Sequence, residues 1–135
     1  MTDNGSDPLP RSQVFSLEPQ VPTLVRVRRW AAQELADLSD DELGDVLLVV
    51  TELITNAFDH GQMPAQVRLQ RSTQPCFVRI EDEDASPDRP TLGRSRLSDT
   101  RGRGLIIVDR LAKDWGVISH PVGKTVWAEI TCETP

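Results

Sequence analysis

The stretch Asp45-Val-Leu-Leu-Val-Val-Thr-Glu-Leu-Ile-Thr-Asn-Ala-Phe-Asp-His-Gly61 decides how this chain folds. Val46, Leu47, Val50, Leu53, Ile54, Ala57 and Phe58 recur at three- and four-residue intervals, the period of a helix whose apolar stripe faces a core. Glu52 and Asn56 fall off that stripe. Four residues apart, they project from one side of the helix a turn from each other, with His60 one turn further along. A carboxylate above a carboxamide suits a metal-phosphate site. The carboxylate can orient or deprotonate an attacking hydroxyl, and the amide oxygen can ligate a hard cation such as magnesium without adding charge. On spacing alone, a solvated helix face is the commoner setting for such a pair.

The segments on either side give this helix its ends and its neighbours. Ser39-Asp40-Asp41-Glu42 is a capping box that starts it, and Gly61 followed by Pro64 stops it. Ala65 to Gln70 and Phe77 to Glu81 alternate apolar and polar around Ser72-Thr73-Gln74-Pro75, the pattern of an antiparallel hairpin with one buried face. Upstream, Leu24, Val27, Ala31, Leu35 and Leu38 form one stripe of a helix from Pro22 to Leu38. Its basic shoulder of Arg26, Arg28 and Arg29 suits either solvent or a docking partner. Val14 to Leu17 reads as a short edge strand, and residues 1–13 as a loose tail without apolar period.

Downstream, parity places Val78, Ile80, Asp82 and Asp84 on one face, so a carboxylate emerges where the strand leaves the core. Such an acid can accept a hydrogen bond from a ligand amine, and a turn aspartate has the same sequence appearance. Residues 91–101 show no period and read as a functional lid or a disordered segment. Arg101-Gly102-Arg103-Gly104 then opens an apolar helix with Leu105, Ile106, Val108, Leu111 and Ala112, where glycines let backbone amides approach an anion. Trp115 to Ser119 and Thr125 to Ile130 read as closing strands around a turn at Pro121 to Gly123. Helices alternating with an antiparallel-looking sheet define an α+β sandwich over residues 14–135.

At 135 residues the chain can bury about two-thirds of the surface exposed by its unfolded form, so one domain is expected. Cys76 and Cys132 are far apart in sequence, and with His60 and His120 as the only histidines neither a zinc site nor a disulfide framework is indicated. No apolar run approaches the roughly 20 residues of a membrane span, and the start lacks a signal-peptide pattern. A reducing, cytoplasmic location without membrane contact is the expectation. A net charge of −6 and a pI near 4.8 argue against nucleic acid as the main ligand. Gly123-Lys124-Thr125 imitates the end of a P-loop, but that motif needs a glycine where Ile118 stands and a helix where a strand follows.

Four of these pieces, in this order, resemble the histidine-kinase-like (GHKL) ATPases. Glu52-Leu-Ile-Thr-Asn56-Ala-Phe-Asp-His60-Gly61 is similar to their N box, Asp84 to the adenine-binding aspartate, Gly102-Arg103-Gly104-Leu105 to the glycine box after the lid, and Gly123-Lys-Thr125-Val-Trp to the final strand. The small size and the Trp115-Gly116 and Gly123 to Trp127 segments look most like the branch of anti-sigma-factor serine kinases. The resemblance implies a two-layer α/β sandwich with a mixed, mainly antiparallel sheet covered on one face by helices. It implies ATP and Mg2+ as cofactors, with Glu52 as general base, Asn56 as metal ligand, and Asp84 accepting from the adenine amine. Gly102, Arg103, Gly104 and Leu105 would lie at the phosphate end and Thr125 at the adenine end, with Arg101 or Arg103 stabilising charge. The implied activity is that of a serine/threonine protein kinase acting as an anti-sigma switch. Its implied partners are a sigma factor and an antagonist protein, with room for a homodimer. A nucleotide-gated binding module and a slow ATPase are the alternatives.

Two positions depart from the family pattern. Asp84-Ala85-Ser86 replaces Asp-x-Gly, and Asp82 stands where the strand expects an apolar residue. Either Asp82 finds a polar partner or the strand ends before it; it is also the alternative candidate for the adenine acid.

Overall fold

The structure, a computed structural model, describes residues 11–17, 23–60, 65–85 and 100–133. Among them, in chain order, are β1 (Arg11–Leu17), α1 (Thr23–Glu34), α2 (Asp40–His60), β2 (Ala65–Thr73), β3 (Cys76–Asp84), α3 (Thr100–Leu111), β4 (Asp114–His120) and β5 (Gly123–Thr131). The five strands form one sheet in the order β1-β2-β3-β5-β4. Every pairing between them is antiparallel, where a mixed sheet was expected.

Alternation along the strands gives the sheet two unlike faces. Val67, Leu69, Val78, Ile80, Val126, Ala128 and Ile130 are buried in one core with Val46, Val49, Val50, Leu53 and Ile54 of α2. The other face carries a charged ladder. Arg79 bonds Glu81 at 2.8 Å and Glu129 at 3.0 Å, and its guanidinium stacks over Trp127, 4.3 Å from the ring centroid.

α2 begins at Ser39 as its capping box predicts. Ser39 Oγ accepts from Glu42 N, and Ser39 N donates to Glu42 Oε1, both at 3.2 Å. α1 ends at Glu34, four residues before the sequence pattern does, yet Leu35 and Leu38 remain buried in the turn that follows. Arg28, read as either solvated or docking, instead ties the two helices together by donating to Leu47 O at 3.3 Å and to Thr51 Oγ1.

Three expectations need adjustment. β1 starts at Arg11, inside the stretch read as a tail, because Arg11 to Leu17 pair continuously with Arg71 to Ala65. The segment read as a lid lies outside the described residues apart from its last two, 100 and 101, which belong to α3. Cys76 and Cys132, for which no disulfide was expected, are bonded to each other. Their sequence separation of 56 conceals what the sheet register supplies: Phe77 pairs with Thr131, which sets Cys76 beside Cys132 at the same end of the ladder. Among the described residues no helix is long and apolar enough to cross a membrane.

Candidate nucleotide site

α2 runs from the disulfide end of the sheet toward the end where β3 finishes. Its 21 residues span about 30 Å at the α-helical rise, enough to cover the length of the strands. Asn56 therefore lies near the finish of the helix, one turn after Glu52. The Asn56 side chain is buried, and its Oδ1 has no hydrogen-bond partner among the described residues. An amide oxygen withdrawn from water without a donor is costly. Glu52 is half-buried, and burial raises its carboxyl above the usual carboxylate value. That shift moves it in the direction a general base working near neutral pH requires.

At the end of β3 the alternation continues to the last residue, so the strand does not stop before Asp82. Nor does Asp82 find a polar partner: its Oδ1 has none among the described residues, and it pairs in register with Val67 and Val126. Both expectations for this residue fail. Burial pushes its carboxyl well above the usual range, and Asp84 and Glu83 push the same way while Lys124 opposes them. Asp82 is thus a buried acid that favours its protonated form.

Asp84 sits differently. With Ala65, Ala85 and Val122 it lines a cleft of about 340 Å³ at the end of the sheet, which Asp82 does not reach. Asp84 Oδ1 accepts from Lys124 Nζ at 3.1 Å, an ion pair whose side chains are 1% and 3% exposed. Gly123, next to this lysine, permits the close approach of the two strands, because a Cβ there would collide with the Asp84 carbonyl oxygen.

The other expected site residues are distributed unevenly. Thr125 pairs with Glu83, not Asp84, and so belongs to the opposite face of the sheet, where its Oγ1 lies 2.7 Å from His120 Nε2. Gly102 and Gly104 fall within the first turns of α3, which starts at Thr100, so the helix contains the glycine box instead of following it. The surroundings of residues 101–104, Arg101 and Arg103 among them, lie outside the described residues, as does the side chain of His60. Leu105 is buried on the helix that packs against α2.

Lys124 is the residue that sequence reasoning missed. Its signal was parity: it shares the inward register of Val126, Ala128 and Ile130, and a lysine in such a row demands a buried counter-charge.

A layer of helices on an antiparallel sheet, with an orphaned amide and a raised glutamate on the central helix and a carboxylate at a strand-end cleft, is the arrangement of a nucleotide-binding α+β domain. The family model for the histidine kinase-like ATPase domain matches residues 16–130, and the chain belongs to that family. Two solved structures share the fold. The RsbU and RsbW domains of Rv1364c from Mycobacterium tuberculosis superpose with a TM-score of 0.70 at 16% identity, over 93% of this chain and 33% of that one. The histidine kinase domain of a blue-light activated kinase from Erythrobacter litoralis EL346 gives 0.50 at 20% identity, over 82% and 59%. The chain thus spans about a third of the first and under two-thirds of the second. No curated protein matches it.

Proposed function

We propose that this chain is an ATP-dependent serine/threonine protein kinase that works as an anti-sigma switch, binding a sigma factor and phosphorylating an antagonist protein in the cytoplasm. The observation that carries the reading is the α2 pair: a half-buried Glu52 with a raised carboxyl, one turn before a buried Asn56 whose amide oxygen lacks a partner. The resemblance in fold to a chain with an RsbW domain supports the regulatory branch.

Asn56 suits Mg2+, since its unpartnered Oδ1 is a hard, neutral donor. An ion of this kind takes few protein ligands and completes its shell with phosphate and water. When bound, the ion would neutralise charge on the phosphates. The chain's own contributions are positional and protonic. Glu52 takes the proton from an incoming serine or threonine hydroxyl, and Asp84 accepts from the adenine amine and so fixes the base.

The test is incubation of the purified full chain with labelled ATP, Mg2+ and antagonist candidates encoded beside its gene. Transfer of label to a serine or threonine of one candidate is the expected result. ATP-dependent binding of a sigma factor without any transfer would leave a nucleotide-gated binding module, and label released only as phosphate would leave a slow ATPase.

A further inference from the structure

The Cys76–Cys132 bond lies at the end of β3 away from the cleft, and its two sulfurs belong to unlike surroundings. Cys76 is buried at the start of β3, whereas Cys132, one residue past β5, is half-buried and precedes the exposed Glu133. Arg71 enters from β2 with its side chain 5% exposed and brings Nη1 to 3.3 Å from Cys76 Sγ and 3.6 Å from Cys132 Sγ. A disulfide is uncharged and gains little from a buried guanidinium. A thiolate gains much more, because the cation both opposes its charge and donates to it. Three carboxylates share this end. Asp37 pairs with Arg71 Nη2 at 2.7 Å but is itself 54% exposed, so water screens it, and Glu42 accepts from the N–H of Glu133 beside Cys132. The acids disfavour a thiolate at Cys132, and the cation favours one at Cys76.

We propose that this pair is a thiol-exchange site, at which Cys132 is reversibly S-thiolated by a small thiol of the glutathione class while Arg71 holds Cys76 as the leaving sulfur. The thiolate of the small thiol attacks Cys132 Sγ and forms a sulfur–sulfur bond there. The Cys76–Cys132 bond breaks, and its electron pair leaves with Cys76 as a thiolate against Arg71 Nη1. In the reverse step the Cys76 thiolate attacks Cys132 and expels the small thiolate. The backbone keeps it in range, since Cys132 N donates to Cys76 O at 3.1 Å, a bond that does not depend on the sulfurs. A second small thiolate, attacking the small thiol's own sulfur in the mixed disulfide, frees Cys132; the two small thiols leave joined as their disulfide, and the protein pair is reduced. Attack falls on Cys132 because exchange is faster when the attacked sulfur is reachable and the departing thiol is the more acidic. The site does not depend on the nucleotide reading.

The experiment incubates the oxidised full chain with reduced glutathione under native conditions, quenches with iodoacetamide and maps the products by peptide mass spectrometry. Glutathione on Cys132 with the alkyl label on Cys76 is the expected adduct. Glutathione on Cys76 or on both alike, or a bond that opens only after unfolding, overturns the proposal. Arg71 is tested in Cys132→Ala, where Cys76 is the one thiol left and the chain has no tyrosine to obscure the ultraviolet absorbance of a thiolate. Cys76 should ionise below the ordinary thiol value of about 8.5. Adding Arg71→Met should raise its midpoint by about 1–2 pH units, the equivalent of one hydrogen bond to a charged group, and Arg71→Lys should keep it low. A midpoint that Arg71→Met leaves in place overturns the proposal, because the guanidinium then only packs against the sulfurs. Should Arg71→Met not fold, the midpoint in Cys132→Ala decides alone: below the ordinary value it supports the proposal, and at or above it refutes it.

Discussion

The two ends of β3 bury polar groups in opposite ways. At its start, Arg71 of the neighbouring strand is buried, but its terminal nitrogens are engaged. Nη2 donates to Asp37 at 2.7 Å, and Nη1 donates to Ser72 O and lies 3.3 Å and 3.6 Å from the sulfurs of Cys76 and Cys132; Nε alone lacks a partner. The disulfide joins β3 to the residue after β5, and Glu42 of α2 accepts from Glu133 N at 2.7 Å, one residue further. At its finish, by contrast, Asp82 Oδ1 and Asn56 Oδ1 have no partner among the described residues. One end is tied shut by bonds within the chain. The other keeps acceptors in store, and unsatisfied polar groups of this kind collect where a ligand completes the site.

If that division holds, changes to Glu52 and Asn56 should reach function and spare stability. Glu52→Gln keeps shape but removes the base, so phosphate transfer should fall by roughly 10²–10⁴-fold while ATP still binds. Asn56→Ala should fail at an earlier step, with magnesium-dependent nucleotide affinity itself reduced. Calorimetry beside a transfer assay separates the two. Equal transfer by wild type and Glu52→Gln would remove Glu52 as the base, and no transfer by either would remove the kinase assignment.

The stapled end should show the reverse. Opening the Cys76–Cys132 bond with reductant, or by Cys132→Ala, should lower the unfolding free energy by about 2–4 kcal/mol, since the bond closes a long loop in the unfolded chain. Urea titrations with and without reductant measure this. Nucleotide affinity should be unchanged, and a parallel loss of affinity would show that the two ends are coupled.

How much of this was legible in the sequence follows from the range of each signal. The capping box, the hairpin and the apolar stripe of α2 are local, set by periods of two and 3.6 residues, and all appear where the pattern puts them. The disulfide, the pairing of Asp84 with Lys124 and the placement of Thr125 on the far face all depend on register between β3 and β5. These strands are separated by α3 and β4, and a one-residue shift exchanges the faces. Lys124 showed as a motif fragment, and its counter-charge lay 40 residues away. Asp82 was legible as an anomaly, but the sequence offered only the two remedies that proteins usually adopt, and this chain uses neither.

That anomaly predicts a pH dependence confined to the finish of β3. The folded carboxyl of Asp82 titrates above the unfolded value of about 3.9. As pH rises past that value the unfolded chain gives up a proton that the folded chain keeps, so the contribution of Asp82 to stability falls with rising pH until the folded carboxyl also ionises. Asp82→Val, flanked in register by Val67 and Val126, removes this dependence. Its stability relative to the wild type should grow as pH rises above about 4 and reach about 1–3 kcal/mol, the range for relieving an unsatisfied buried polar group. Unfolding curves of the two proteins that stay parallel across this range would contradict the assignment of Asp82 as a protonated buried acid.

The smallest expected effect lies at the stapled end, where Ser39→Ala tests whether that end is held by several modest ties. Ser39 Oγ accepts from Glu42 N, and the same glutamate bonds back to Ser39 N and outward to Glu133 N. The Glu133 and Ser39 backbone N–H groups hold the Glu42 carboxyl below its usual value. Removing the serine hydroxyl leaves an N–H of the first helical turn to water and frees the glutamate from half of its reciprocal box, at a cost of about 1 kcal/mol. Because this clamp lies beside the disulfide, the loss should be no larger in the reduced protein if the two ties act independently, and larger if the staple masks the clamp. A double cycle of Ser39→Ala and Cys132→Ala, read by urea unfolding, gives the coupling directly. Independence is the expected outcome, since Glu42 grips the backbone of Glu133 and the disulfide grips the side chain of Cys132. A coupling above about 0.5 kcal/mol would make the stapled end one cooperative unit, and would place the contrast between the two ends of β3 in that unit instead of in the sum of its ties.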